Sequence, residues 1–190
     1  VKEHIGGVVR VDRARICDDD VLAACREALE TRGVIVFPQV GFRDAEQLAR
    51  SAADLEVRGA PKPVGFALCD LLQPETFAPA LDRADEALGG FDTLVVTAAQ
   101  FASQDALESD ATLRRKLLHA DFAATIELCE DARCRLLARG GGTLCVFSSV
   151  AGDRARKPVI LYGAAKAGLS HYMEGLDHKF RAHGLRAVLV

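Results

Sequence analysis

The sequence predicts an α/β fold built on a doubly wound parallel sheet with helices on both faces. Short apolar runs, such as VIVF at residues 34–37 and TLCVF at residues 143–147, alternate with longer stretches of helical periodicity. Glycine or proline separates most of these segments. Strands that are short and apolar throughout are typical of parallel sheets, which helices cover on both sides.

The amino-terminal part predicts a β-α-β-α arrangement followed by a linker. Its expected elements are a strand at residues 8–11, a helix at 21–31, a strand at 34–37 and a helix at 44–55. The sequence GAPKP at residues 59–63 is the clearest linker in the chain. We therefore divide the chain into residues 1–57, a linker at 58–63 and a second segment at 64–190.

The second segment continues the alternation. Its expected elements are a strand at residues 64–69, a helix at 74–88, a strand at 93–97, a long helical stretch that ends at Arg139, a strand at 143–147, a helix at 162–183 and a final strand from residue 185. Within the long stretch, Leu117, Ala120, Ala124 and Leu128 are spaced three and four apart, which indicates a buried helix face.

Composition and charge exclude several classes of protein. The net charge is -3 and there is no basic run, so nothing indicates a nucleic-acid partner. No apolar segment approaches the ~20 residues that a membrane span needs, and the first residues lack a signal-peptide pattern. The six cysteines form no C-x-x-C pair, which predicts reduced, buried thiols. We expect a cytoplasmic protein that acts on a small molecule.

Three residues near the last helix carry the chemistry. Tyr162 and Lys166 are four residues apart, so on a helix they lie on one face. An ammonium beside a phenol favours the phenolate, and we therefore expect Lys166 to lower the pKa of Tyr162. Ser149 follows the strand TLCVF at the sheet edge where α/β proteins bind ligands, and its hydroxyl could stabilise charge on a carbonyl oxygen.

These motifs, SSVAG and YGAAKAG, resemble those of the short-chain dehydrogenase/reductase family, whose fold is Rossmann-like. The resemblance covers about residues 63–190 and includes the acidic residue in Cys69-Asp70-Leu71 and the strand FDTLVVTAAQ. It implies an oxidoreductase that uses NAD or NADP and acts on a carbonyl or alcohol. SSVAGDRAR followed by YGAAKAGL is most similar to the branch that reduces keto-sugars on polyprenyl phosphate. The family also implies a homo-oligomer.

The resemblance assigns a role to each site residue. Tyr162 is the proton donor or acceptor, Lys166 its partner and a ribose ligand, and Ser149 the residue that stabilises the substrate oxygen. Asp70 and Leu71 lie beside the adenine, and Ala98 lies in the cofactor site. Asp121 stands where the family usually carries an asparagine of the proton relay, and Val96-Thr97-Ala98-Ala99 replaces Asn-Asn-Ala-Gly.

The cofactor site is incomplete in the sequence. Nucleotide binding in this fold needs a glycine-rich turn after the first strand, where backbone N–H groups receive the pyrophosphate. After the first strand the chain instead reads DRARICDDD, which places Asp18, Asp19 and Asp20 at the start of the helix. Carboxylates there cap the helix but repel a pyrophosphate. The first β-α-β half is therefore atypical.

Residues 1–57 resemble the N-terminal part of taurine dioxygenase-like, iron(II)/2-oxoglutarate-dependent oxygenases. The matching stretches are IGGVVRVD, DDDVLAACREALETRGVIVF and FRDAEQLARSAADLE. His119-Ala120-Asp121 has the His-x-Asp pattern of such iron sites. Residues two apart on a helix point to different faces, so we expect no metal site there. On this interpretation the chain is composite.

Three functions remain open from the sequence. The first is an NAD(P)-dependent oxidoreductase of the short-chain dehydrogenase type. The second is a non-catalytic α/β domain that has lost its cofactor loop. The third is a fragment of an iron(II)/2-oxoglutarate dioxygenase.

Overall fold

The structure is a computed structural model that describes residues 66–190 and, before them, residues 7–8, 35–36, 50, 53 and 57. The chain divides into two compact units, Val1–Arg43 and Asp44–Val190. In the first unit, β1 (Gly7–Val8) pairs in parallel with β2 (Ile35–Val36), with Gly7 opposite Ile35. This pairing agrees with the β-α-β pattern predicted for the N-terminal part.

Several predictions for the N-terminal part lie outside the described residues. They are the helix at residues 21–31, the aspartates at 18–20 and the linker at 58–63. Of the helix predicted at 44–55, residues 50 and 53 are described, and both are helical. The division into segments 1–57, 58–63 and 64–190 stays a prediction.

Among the described residues, the second unit contains a parallel sheet of three strands in the order β3, β4, β5. They are β3 (Thr93–Val96), β4 (Gly142–Val146) and β5 (Leu185–Leu189). Val96 pairs with Val146, and Val146 pairs with Leu189, so the three strands end side by side at one edge. Helical segments connect each strand to the next parallel strand, and the predicted α/β, Rossmann-like fold is confirmed.

The helices within residues 66–190 follow the predicted order but not all the predicted bounds. They are α1 (Phe77–Leu88), α2 (Gln104–Ser109), α3 (Ala111–Leu118), α4 (Thr125–Ala138), α5 (Val150–Asp153) and α6 (Ile160–Phe180). Short 3-10 turns precede α1 at Pro74–Thr76 and α6 at Lys157–Val159, and another follows α6 at Arg181–His183.

The long helix that was predicted to run up to Arg139 is divided. Asp110 ends α2 and caps α3, because its carboxylate accepts hydrogen bonds from the N–H groups of Thr112 and Leu113 at 2.7 and 3.0 Å. A π-helical segment, His119–Ala124, then separates α3 from α4. Such segments interrupt the ordinary helical ladder and often lie at functional sites.

The strand predicted at residues 64–69 is wrong for the described part, 66–69, which belongs to no strand. Asp70 instead forms an isolated bridge with Gln73. Its carboxylate accepts hydrogen bonds from the N–H of Leu72 at 2.8 Å and from the side-chain amide of Gln73 at 3.1 Å. The Asp70 side chain therefore stabilises a tight turn.

The core lies between the sheet and the helices. Leu144 and Val146 of β4 are almost fully buried, and so are all four members of the predicted stripe, Leu117, Ala120, Ala124 and Leu128. The four described cysteines are free, as predicted, but their expected burial is wrong for Cys69 and Cys134, which are exposed. Cysteine is apolar enough to fit an apolar sequence run without being buried.

Candidate active site

The turn after β4 places Ser149 at the carboxyl edge of the sheet. The N–H of Phe147 donates to the carbonyl of Val96 at 3.0 Å, and the N–H of Ser148 donates to that of Val190 at 2.7 Å. The turn is thus fixed by both neighbouring strands. The Ser149 hydroxyl accepts a hydrogen bond from the N–H of Ala151 at 3.2 Å and so caps α5.

Close packing of α5 on α6 brings Ser149 to Tyr162. A Cβ atom on Gly163 would lie 2.6 Å from the carbonyl oxygen of Ala151, and one on Gly152 would lie 2.9 Å from the backbone nitrogen of Ala167. Only glycine allows these two approaches. The Ser149 hydroxyl therefore lies close enough to Tyr162 to lower the pKa of the phenol. The sequence analysis missed Gly163, although it stands directly after Tyr162.

Lys166 lies one turn beyond Tyr162 on α6, as predicted, and is buried with 2 % of its surface exposed. Its ammonium donates a hydrogen bond to the carbonyl of Phe147 at 3.0 Å and lies 5.8 Å from the centroid of the Tyr162 ring. The Lys166 side chain therefore lies between α6 and the turn that carries Ser149.

Asp121 lies in the π-helical segment and is fully buried. One carboxylate oxygen, Oδ1, accepts a hydrogen bond from the N–H of Gln100 at 2.6 Å. The other, Oδ2, is buried and has no hydrogen-bond partner within the part of the chain that the structure describes. The segment packs tightly on α6, since a Cβ atom on Gly168 would lie 2.8 Å from the Phe122 ring.

Burial controls the charges of these groups. Burial raises the pKa of Tyr162, the hydrogen bond with Ser149 lowers it, and the charge of Asp121 raises it, with a net increase. This direction is opposite to the one predicted from Lys166. Burial lowers the pKa of Lys166 itself, although the charge of Asp121 opposes this. Burial raises the pKa of Asp121 to about 6, although the Gln100 N–H and Lys166 oppose this.

Two residues that the sequence analysis did not identify also belong to the site. The Phe101 ring packs edge-on against Tyr162, with 5.2 Å between ring centroids and an angle of 83° between the rings. The side-chain oxygen of the buried Gln104 accepts a hydrogen bond from the N–H of Leu161, one residue before Tyr162, at 3.1 Å. In the sequence, both residues follow β3, whose carboxyl end faces the site. This position is the feature from which they could have been predicted.

The residues predicted for the cofactor lie in two places. Ala98 is exposed just after β3, at the edge that also carries Ser149. Leu71 is buried, and the Asp70 carboxylate is engaged in its own turn. Leu72, the next residue, borders a cleft of about 390 Å³ with Gln100, Phe101, Ala102, Leu113, Lys116 and Leu117.

The structure thus brings Ser149, Tyr162, Lys166 and Asp121 together at one edge of the sheet. Such an arrangement can pass a proton to an oxygen atom and stabilise charge on it. Within residues 66–190 and the few described before them, no three His, Cys, Asp or Glu side chains are grouped so that they could hold a metal ion. In the same residues, no helix is long and apolar enough to cross a membrane.

A family model described as short chain dehydrogenase matches residues 23–190. The chain belongs to this family. The short-chain dehydrogenase match begins inside the segment 1–57, where the sequence analysis found a resemblance to iron(II)/2-oxoglutarate oxygenases. That resemblance, and with it the composite organisation of the chain, gains no support from the comparisons.

Two relatives within the short-chain dehydrogenase family illustrate the range of similarity. An uncharacterised oxidoreductase of Mycobacterium tuberculosis is 32% identical over 147 residues, which are 77% of this chain and 59% of the relative. The chain therefore spans about three-fifths of that protein's length. A cis-4-hydroxycyclohexanecarboxylate dehydrogenase of Sinomonas cyclohexanicum is 26% identical over 165 residues, which are 86% of this chain and 64% of the relative.

Solved structures of short-chain dehydrogenases share the fold. A gluconate 5-dehydrogenase from Burkholderia cenocepacia, solved with NADP and tartrate, matches with a TM-score of 0.70 at 20% identity and covers 98% of this chain and 71% of its own. A short-chain type dehydrogenase/reductase from Mycobacterium marinum matches with a TM-score of 0.67 at 20% identity, over 82% of this chain and 59% of its own.

Proposed function

We propose that this protein is an NAD(P)-dependent oxidoreductase that interconverts a carbonyl compound and an alcohol. The observation that carries the proposal is the cluster of Ser149, Tyr162 and Lys166 at the carboxyl edge of a parallel sheet, where the Lys166 ammonium lies 5.8 Å from the centroid of the Tyr162 ring. Family membership supports the same class of reaction.

The side chains divide the work between them. The dinucleotide supplies the hydride for reduction or accepts it in oxidation when it is bound. Tyr162 donates a proton to the substrate oxygen as the carbonyl becomes an alcohol, and its raised pKa keeps the phenol protonated for this step. Ser149 hydrogen-bonds the same oxygen while negative charge develops on it. Asp121 acts through its charge on Tyr162 and Lys166.

The described residues fit a dinucleotide at the reacting end. Exposed Ala98 and Ala99 leave open space beside the turn of Ser149, and Tyr162 and Lys166 can receive ribose hydroxyls there. The adenine position beside Asp70 and Leu71 is proposed from the family resemblance. The pyrophosphate would depend on residues outside the described part.

The test is the change Tyr162→Phe. It removes the transferable proton but keeps the ring that packs on Phe101, so turnover should fall by at least about 1,000-fold while the melting temperature stays within a few degrees. Tyr172→Phe is the matched control, because Tyr172 donates its hydroxyl hydrogen to Glu130 and lies outside this cluster. Full activity of Tyr162→Phe would contradict the proposal.

A second candidate is a non-catalytic α/β domain. The sequence favours it at one place, since Asp18, Asp19 and Asp20 stand where a phosphate-binding glycine turn would be expected. Titration of the pure chain with NADH and NADPH, followed by the fluorescence of the reduced nicotinamide, separates the candidates. Binding of either dinucleotide supports the enzyme, whereas binding of neither supports the non-catalytic domain.

The substrate, assembly and location belong to the same proposal. The keto-sugar suggested by the sequence and the ring alcohol named for the Sinomonas relative are both secondary alcohol or ketone substrates. A homo-oligomer and a cytoplasmic location are proposed from the family, and the free thiols support the second. Light scattering of the pure chain would test the oligomer.

A further inference from the structure

We propose that Phe101 contacts the substrate and selects ketones with an apolar ring over polyhydroxylated ketones of similar size. The inference rests on the proposed oxidoreductase function and makes its substrate class more specific. It begins with the position of one aromatic ring at the site.

Phe101 combines contact with the reacting group and exposure. Its ring packs edge-on against Tyr162 at 5.2 Å between centroids, yet 68% of the residue surface remains exposed. A large aromatic ring that is left open beside a catalytic phenol offers an apolar surface to whatever approaches that phenol. The ketone oxygen must come within hydrogen-bonding distance of the Tyr162 hydroxyl, and this proximity places the body of the ketone within reach of the Phe101 ring.

The backbone on both sides of Phe101 is fixed. The N–H of Gln100, the preceding residue, donates to the Asp121 carboxylate at 2.6 Å. Three residues after Phe101, the Gln104 side chain accepts the N–H of Leu161 at 3.1 Å. The segment from Gln100 to Gln104 is thereby tied to the π-helical segment and to the start of α6. An exposed ring on a fixed backbone can serve as a binding surface at little entropic cost.

The Phe101 side chain carries no hydrogen-bonding group that could replace water around a substrate hydroxyl. A polyhydroxylated ketone would lose hydration against this ring without compensation, whereas a hydrocarbon ring would gain from burial.

The experiment compares cyclohexanone with dihydroxyacetone as substrates, using the full chain with NADH and NADPH. We expect wild type to prefer cyclohexanone, and Phe101→Ala to lower kcat/KM for cyclohexanone by about 10- to 100-fold, chiefly through KM. Dihydroxyacetone should change by less than about threefold. Phe101→Leu, which restores an apolar surface, should recover most of the loss. Leu88→Ala is the control, since Leu88 is exposed at the end of α1, before β3 begins.

Two outcomes would overturn the inference. Equal losses for both ketones would show that Phe101 only positions Tyr162, and a shifted pH profile of kcat would accompany that role. A wild type that prefers dihydroxyacetone would exclude an apolar-ring substrate. Inactivity of wild type on both ketones, by contrast, counts against the proposed function itself.

A binding measurement tests Phe101 without turnover. The chain has two tyrosines and no tryptophan, so in a Tyr172→Phe background the tyrosine emission comes from Tyr162 alone. Cyclohexanone should quench this emission saturably, and Phe101→Ala should weaken the binding about tenfold or more. Equal binding with and without the Phe101 ring, or no binding, would overturn the inference even if the chain reduces other ketones.

Discussion

Asp121 is the residue whose chemistry departs most from that of its family position, and its burial makes the departure measurable. Its pKa is raised from 3.8 to about 6, and the native state therefore holds a proton on this carboxyl that the unfolded chain releases above pH 4. The destabilising effect of the carboxylate is absent below the unfolded pKa, grows between pH 4 and 6, and is complete above pH 6.

Asp121→Asn should stabilise the protein at pH 8. Two units of pKa shift correspond to about 3 kcal/mol, and we expect a gain of about 1 to 2 kcal/mol because the new amide must also find partners. The gain should shrink as the pH falls through 6 and give way to a small loss of stability near pH 4, where only the cost of the amide remains. Urea unfolding of both proteins at pH 4, 6 and 8 measures this. A gain that is independent of pH would contradict the assignment of the raised pKa to Asp121.

The same substitution should change catalysis. The Asp121 charge raises the pKa of Tyr162, so Asp121→Asn should lower that pKa. Alcohol oxidation needs the phenolate and increases with pH, so its rising limb should move to lower pH. The pH profile of kcat for oxidation measures this shift. A limb that does not move would show that Asp121 does not act on Tyr162.

At the scale of elements, the contact between α5 and α6 determines the distance between the hydroxyls of Ser149 and Tyr162. Gly163→Ala would place a methyl group 2.6 Å from the carbonyl oxygen of Ala151, and α5 would have to move away with Ser149. We expect a loss of about 1 to 3 kcal/mol in stability and at least tenfold in kcat. Thermal unfolding and steady-state kinetics measure the two effects.

Gly175→Ala is the matched control on the same helix. Nothing lies within 4 Å of a Cβ atom at Gly175, so the change should add only helix propensity, about 0.5 to 1 kcal/mol of stabilisation, with kcat unchanged. If Gly163→Ala also stabilised the protein, helix propensity rather than the contact between α5 and α6 would dominate at Gly163.

The elements also show which features a single sequence can predict. The spacing of Tyr162 and Lys166 was predicted because both lie on one helix, where sequence distance determines the face. Gln104 and Phe101 were not predicted, since their contacts with Leu161 and Tyr162 connect residues 57 and 61 positions apart. The π-helical segment was missed because the apolar stripe continues through it.

For the whole molecule, a second carboxylate has the opposite dependence on pH. Asp85 of α1 accepts hydrogen bonds from Arg135 at 2.9 Å and Arg139 at 2.6 Å, which connect α1 to the end of α4. Burial raises the pKa of Asp85, but the hydrogen bonds from Arg139 and Arg135 outweigh it and lower the pKa overall. This carboxylate stabilises the fold above its unfolded pKa and loses that effect as the pH falls below about 4.

Asp85→Asn should therefore destabilise the protein at pH 7, by about 1 kcal/mol, and have little effect near pH 3. Asp82→Asn is the control, because Asp82 also pairs with Arg135, at 2.7 Å, but its side chain is 64% exposed and should contribute little. Urea unfolding at pH 3, 5 and 7 measures both. Since the destabilising effect of Asp121 grows above pH 4 and the stabilising effect of Asp85 is complete there, the combined effect of these two carboxylates gives greatest stability at about pH 4. Asp121→Asn should move that maximum to higher pH and Asp85→Asn to lower pH, and a shift of both in the same direction would contradict this account.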